Sequence, residues 1–118
     1  MTVSNLFASL NRKKDTTKGG TAMITFEYRF DILPGKSAAY EKYVRGQGKN
    51  IWTKFRGVKA VRKYRSMLGG SSPQRVVQVD LDSLATLEKI LSDAGFRRAK
   101  EKFHDMVANV SDSLLVSV

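Results

Sequence analysis

The sequence predicts an α+β domain built in the order β-α-β-β-α-β, with one four-stranded antiparallel sheet covered by helices on one face. Three observations predict it. Residues 24–32 alternate strictly, so that Ile24, Phe26, Tyr28, Phe30 and Ile32 share one face while Thr25, Glu27, Arg29 and Asp31 occupy the other. Two further strand-like runs flank a glycine- and serine-rich loop in the middle of the chain. Stretches of helical periodicity follow the first and third strands, and an apolar run closes the chain.

The first strand ends at Leu33-Pro34-Gly35, where proline fixes φ and glycine allows a sharp turn. Ser37 is placed to cap the helix that follows. Tyr40, Val44, Ile51 and Phe55 recur at helical spacing and predict a helix to about Phe55, with Gly46 and Gly48 bending or breaking its centre. After Gly57, residues 58–67 alternate Val58, Ala60, Arg62 and Tyr64 against Lys59, Val61, Lys63 and Arg65, and their charge density predicts a strand near a sheet edge. Leu68–Pro73 reads as a hairpin loop, and Val77, Val79 and Leu81 give the third strand its apolar face. Ser83 caps a short helix carrying Leu84, Leu87, Ile90 and Leu91. Ala94 and Gly95 interrupt that helix, and Phe96, Ala99, Phe103, Met106 and Val107 continue its stripe. Leu114, Val116 and Val118 close the sheet.

At 118 residues, 42% of them hydrophobic, the chain suffices for one domain, expected over 23–118, preceded by a flexible basic tail over 1–22. Within that tail Leu6, Phe7 and Leu10 have the spacing of a short amphipathic turn. No run approaches the roughly 20 apolar residues of a membrane-spanning helix, and no secretory-type apolar block opens the chain, so a soluble cytoplasmic protein is expected. The absence of cysteine excludes disulfides, thiolate nucleophiles and thiolate metal sites, and His104 is the only histidine, so no metal site is expected.

The net charge of +10 is concentrated in the middle of the chain, where residues 36–65 hold ten Lys or Arg against the single acid Glu41. A non-catalytic domain binding an anionic partner or nucleic acid through that region is one functional reading, with Lys59, Arg62, Lys63 and Arg65 as the anion-binding candidates. Nucleic acid is disfavoured, because a glycine-rich phosphate loop and the paired exposed aromatics of an RNA-binding sheet are both missing.

Three stretches carry a family likeness: Phe30 to Ser37 through Leu33-Pro34-Gly35, Phe55-Arg56-Gly57-Val58 leading into Val61-Arg62-Lys63-Tyr64-Arg65, and Asp80 to Glu88 followed by Phe96 and Phe103. In this order they resemble the dimeric α/β-barrel superfamily, in particular its antibiotic-biosynthesis-monooxygenase-like branch, over residues 23–118. The resemblance implies a ferredoxin-like protomer whose sheet is covered by helices on one side and pairs with a partner's sheet on the other, giving a homodimer. It also implies a small cavity between helices and sheet, used for cofactor-independent oxidation of aromatic substrates, for haem degradation, or for binding a small apolar or aromatic ligand. The haem-degrading members place an asparagine on the first strand, and residues 24–32 contain none, so no cofactor is expected.

Within such a cavity Tyr28 and Phe30 are the expected lining, joined by Tyr64 if Val58 and Ala60 face inward. Trp52 and His104 are the catalytic candidates. Each lies to one side of its helix's apolar stripe, Trp52 flanking the core at a pocket edge and His104 able to relay a proton.

Overall fold

The computed structural model describes residues 23–118, and the expected basic tail over 1–22 lies outside the described residues. The elements are β1 (Ile24–Ile32), α1 (Ser37–Arg45), β2 (Val58–Arg65), β3 (Arg75–Leu81), α2 (Leu84–Leu91), α3 (Ala94–His104) and β4 (Val107–Val116). They form one antiparallel sheet in the order β2-β3-β1-β4, the ferredoxin-like arrangement, with β2 and β4 at its edges.

Register makes the two faces of the sheet chemically different. Phe26 lies opposite Val79 on one side and Leu114 on the other, and Val79 in turn lies opposite Val61. This row and its neighbours pack against Tyr40, Tyr43, Leu87, Ile90, Phe96 and Phe103 of the helices. Phe30, Val79, Leu81, Leu87 and Ile90 are fully buried at the centre of that contact.

The reverse face carries a continuous polar ladder. Arg62 donates to both carboxylate oxygens of Asp80 at 2.7 and 2.8 Å and, through Nε, to Gln78 at 3.0 Å. Thr25 also donates to Asp80, Gln78 donates to Glu27 at 2.9 Å, and Arg29 lies 3.6 Å from Glu27 while donating to Ser113. Thr25, Glu27 and Arg29, which alternation puts on this face, are thus joined with Arg62, Gln78, Asp80 and Ser113 across four strands. Planar two-point pairing of a guanidinium with a carboxylate is geometrically specific, so the ladder pins strand register as well as satisfying charge.

Several boundaries differ from the sequence expectation. The first helix breaks at Gly46, where its glycines predict a bend or break, but residues 46–56 continue as turns instead of a second helical segment reaching Phe55. Gly46 caps the helix, and at Gly48 an added Cβ would lie 2.6 Å from the Tyr43 ring, so packing of that ring demands a glycine there. Ser37 does not cap α1: Lys36 holds the cap position, without a side-chain hydrogen bond. The interruption in the second helical region falls at Ser92–Asp93, two residues earlier than expected, because Asp93 accepts from Phe96 N at 2.9 Å and so starts a new helix at Ala94. Ser83 does cap α2, accepting from Thr86 N at 3.2 Å. Met106 and Val107 lie beyond α3, Val107 opening β4, while Val118 falls past the last strand and is exposed.

Two bulges also alter the side-chain phase. In β2, Lys59 is an extra residue between Val58, opposite Leu81, and Ala60, opposite Asp80, so that Val58 faces the helices while Ala60, Arg62 and Tyr64 face away. In β4, two residues oppose Phe30, and Asn109 takes a left-handed φ of 57° there while donating to Asp31 at 2.8 Å. Asp31 also accepts from Ser72 and from Gln74 N, tying the 66–74 loop to the same point. Gly57, with φ +99°, precedes the first bulge, where a Cβ would lie 2.6 Å from Thr86 Oγ1. The close seating of this turn on the start of α2 therefore requires glycine.

The Arg62 and Thr25 hydrogen bonds hold the Asp80 carboxyl below its usual pKa. The folded state thus binds a proton less readily than the unfolded chain, and Asp80 contributes stability above about pH 4 that is lost as pH falls through the depressed value. Asp80→Asn is expected to lower Tm at neutral pH, with the difference from wild type shrinking in acid. A constant difference across pH 2–7 in thermal melts would refute this account.

Candidate active site

Between the helix-facing side of the sheet and the cover formed by α1, the 46–56 turns and α3 lies a cleft of about 560 Å³, within the size range of small-molecule sites. Its position follows from the early end of α1. Turns bring Ile51 and Trp52 back over the sheet, and Trp52 is 4% exposed and packs edge-on against Phe96 with ring centroids 4.9 Å apart. The expectation that Trp52 flanks the core is therefore corrected: helical angular spacing does not apply to a residue held in a turn.

Aromatic rings form the cleft floor. Tyr28 and Phe30 stack at 5.9 Å, and Phe103 meets both edge-on, at 5.9 and 4.8 Å. Trp52 Nε1 donates to the Tyr28 hydroxyl oxygen at 3.1 Å. Burial is the main cause that pushes the Tyr28 phenol far above its ordinary pKa, and the Trp52 hydrogen bond opposes it only in part. Tyr28 consequently stays protonated at physiological pH, and its O–H has no acceptor among the described residues, leaving it available as a donor to a ligand. Tyr43 differs, for its hydroxyl donates to Ala99 O at 3.2 Å, and burial pushes its pKa up to about 12.

Polar groups occupy the two ends of the cleft. On β4, Asp112 lies directly opposite Tyr28 and therefore on the helix-facing side. Its pKa is raised, chiefly by burial, against the opposing influence of Lys100, His104 and Arg29. His104, exposed at the end of α3, borders the cleft beside Asp112 and Lys100. At the other end, Lys63 of β2 lies opposite Val77, and Arg65 lies opposite Arg75, both rows facing the helices.

The structure thus brings Tyr28, Phe30, Trp52 and His104 together around one cleft. Tyr64 meets its border but belongs by register to the reverse face and is 50% exposed, because the Lys59 bulge turns Ala60 and Tyr64 outward. The four basic candidates are divided. Arg62 is bound to Asp80 on the reverse face, Lys59 sits in the bulge, and only Lys63 and Arg65 border the cleft. Sequence reasoning missed Asp112, Arg75 and Lys100 as site residues. For the first two a signal existed: Asp112 is in phase with Leu114 and Val116, and Arg75 with Val77, Val79 and Leu81. A charge in phase with an apolar strand face points into the space that face covers.

Fold and cleft together define a ferredoxin-like α+β protein with an aromatic pocket between sheet and helices. Its structural neighbours are dimeric α/β-barrel proteins, antibiotic-biosynthesis-monooxygenase-like members among them. The chain is similar to SnoaB, a cofactor-independent oxygenase from Streptomyces nogalater, with a TM-score of 0.68 and 14% identity, covering 82% of this chain and 94% of that one. It is similar also to a putative antibiotic biosynthesis monooxygenase from Bordetella bronchiseptica, with a TM-score of 0.65 and 22% identity over 82% of this chain and 98% of that one. A dimeric ferredoxin-like protein of unknown function from Thermobifida fusca gives a TM-score of 0.69 at 13% identity over 81% of this chain and 92% of that one. At such identities the likeness is one of fold. No protein-family model matches the sequence, and no curated protein does. No group of three or more metal-ligating side chains occurs among the described residues, and none of their helices is long and apolar enough to cross a membrane.

Tyr28→Phe deletes the acceptor of the buried Trp52 N–H. An unsatisfied buried donor costs about 1–3 kcal/mol, so urea unfolding of this variant is expected to show a loss of that order. A variant as stable as wild type would mean that the indole N–H has another partner.

Proposed function

We propose that this chain forms a homodimer through the polar face of its sheet, each protomer holding a small aromatic molecule in the cleft and oxidising it with dioxygen without a cofactor. The observation that carries this reading is the Trp52–Tyr28 hydrogen bond set in a floor of aromatic rings. Rings at these separations offer edge and face contacts to a further ring, and the spare Tyr28 O–H offers one orienting donor. A hydroxylated aromatic that loses its proton becomes an electron-rich anion, and such an anion can pass electrons to dioxygen. The protein group this chemistry needs is a proton acceptor beside the ring. Asp112 suits that role by position, since it pairs with Tyr28 on the helix-facing side of the sheet. Its side chain is open to solvent at the cleft end, partial desolvation raises its pKa, and His104 stands beside it to pass the proton to solvent.

Dimerisation is supported by the neighbours described as dimeric.

Native mass spectrometry is expected to give a dimer, and hydroxynaphthalenes are expected to bind with quenching of the single tryptophan and to support oxygen uptake. Asp112→Asn is expected to lower uptake by about 100-fold or more while binding persists. Uptake unchanged by Asp112→Asn would remove the proton-acceptor role, and tryptophan emission indifferent to every aromatic tested would remove the binding reading.

A further inference from the structure

The β2–β3 end of the cleft holds more positive charge than the protein itself balances. Arg65 and Arg75 are direct cross-strand partners, and Lys63 is two residues along the same face of β2. Like charges placed directly opposite each other on antiparallel strands are destabilising. Among the described residues this trio has one acidic partner, Glu41, whose Oε1 is 3.7 Å from Arg75 Nη2 and whose side chain is 50% exposed. Lys63 and Arg65 form no ion pair among the described residues. The contrast with Arg62 is instructive: one position away along β2 it is fully matched by Asp80 and Gln78. Arg75 is also held in place, with its guanidinium 5.9 Å from the centre of the Tyr40 ring at the cleft wall.

We propose that the cleft is built for an aromatic acid, whose carboxylate or equivalent oxyanion sits on Lys63, Arg65 and Arg75 while its rings lie on Tyr28 and Phe30. The inference rests on the reading of the cleft as an aromatic-ligand site and adds the chemical class of the ligand. Guanidinium groups present paired N–H donors that match an oxyanion's geometry, and Lys63 and Arg65 are exposed at the cleft border, where a ligand can reach them. The same row of the sheet fixes orientation. Lys63, Val77, Tyr28 and Asp112 are successive cross-strand neighbours, so the cationic end and the Asp112 end are about 14 Å apart at ordinary strand spacing. The acid group therefore anchors the ligand by the end remote from Asp112, leaving the far ring beside that carboxylate.

The test compares two fluorescent probes of nearly the same shape, the anionic 8-anilinonaphthalene-1-sulfonate and the uncharged N-phenyl-1-naphthylamine, by titration at low salt. The sulfonate is expected to bind about tenfold more tightly than the neutral probe. Arg65→Gln/Arg75→Gln is expected to abolish that preference with little change in affinity for the neutral probe, and Lys63→Gln to reduce it in part. Lys89→Gln/Lys102→Gln, which removes two charges from helix surfaces outside the cleft, is expected to leave it intact. Circular dichroism verifies folding, and if the double variant does not fold, the single Lys63→Gln comparison decides. A sulfonate preference that survives the cleft substitutions, or falls equally with the helix ones, overturns the anion site while the aromatic cleft stands. Failure of both probes to bind wild-type protein overturns the cleft reading, and the anion site with it.

Discussion

The phase of β1 is the constraint on which the rest of the molecule depends. As an inner strand it is paired on both sides, and its odd and even residues face two incompatible environments. Phe26 and Phe30 are removed from water by the helices, whereas Glu27 and Arg29 belong to the polar ladder. A slip of one residue would bury those charges and expose the rings, so both faces enforce one register. Register then fixes what lies opposite each floor residue. Asp112 reaches the cleft because it pairs with Tyr28, and Arg75 reaches it because it pairs with Phe30.

The helical layer answers to the same floor. Continuing α1 to Phe55 would carry Trp52 along a straight cylinder, but glycines at 46 and 48 end it and the chain folds back through turns. Trp52 then lands above Tyr28, close enough to hydrogen-bond with it. The broken helix thus creates the site: a substitution at Gly48 would push against the Tyr43 ring, which is anchored through its hydroxyl to α3 at Ala99. Stability and site shape are linked through that contact.

Charge obeys the pleat more than the sequence interval. The basic run over 36–65 looks like one surface when read linearly, yet alternation sends Arg62 to one side of the sheet and Lys63 and Arg65 to the other. The first is spent on holding strands together, and the others border the cleft. The positive charge of this segment is accordingly two features, one pairing strands on the reverse face and one at the cleft border.

The sequence by itself determined the element order, the apolar face of β1 and β3, the Ser83 cap and the membership of Tyr28 and Phe30 in a space beneath the helices. These rest on local periodicity and capping chemistry, which neighbouring residues express without reference to the rest of the chain. Only the tertiary structure decided where Trp52 lies, that Tyr64 turns outward, and that Asp112, His104 and the Lys63, Arg65 and Arg75 trio border one cleft. A bulge at Lys59, a second at Asn109 and a helix ended at Arg45 each shift the phase of everything that follows. The two bulges are set by long-range contacts, Thr86 against Gly57 and Asp31 against Asn109, which no local pattern encodes, whereas the glycines that break the first helix are local and the path the chain takes after them is not.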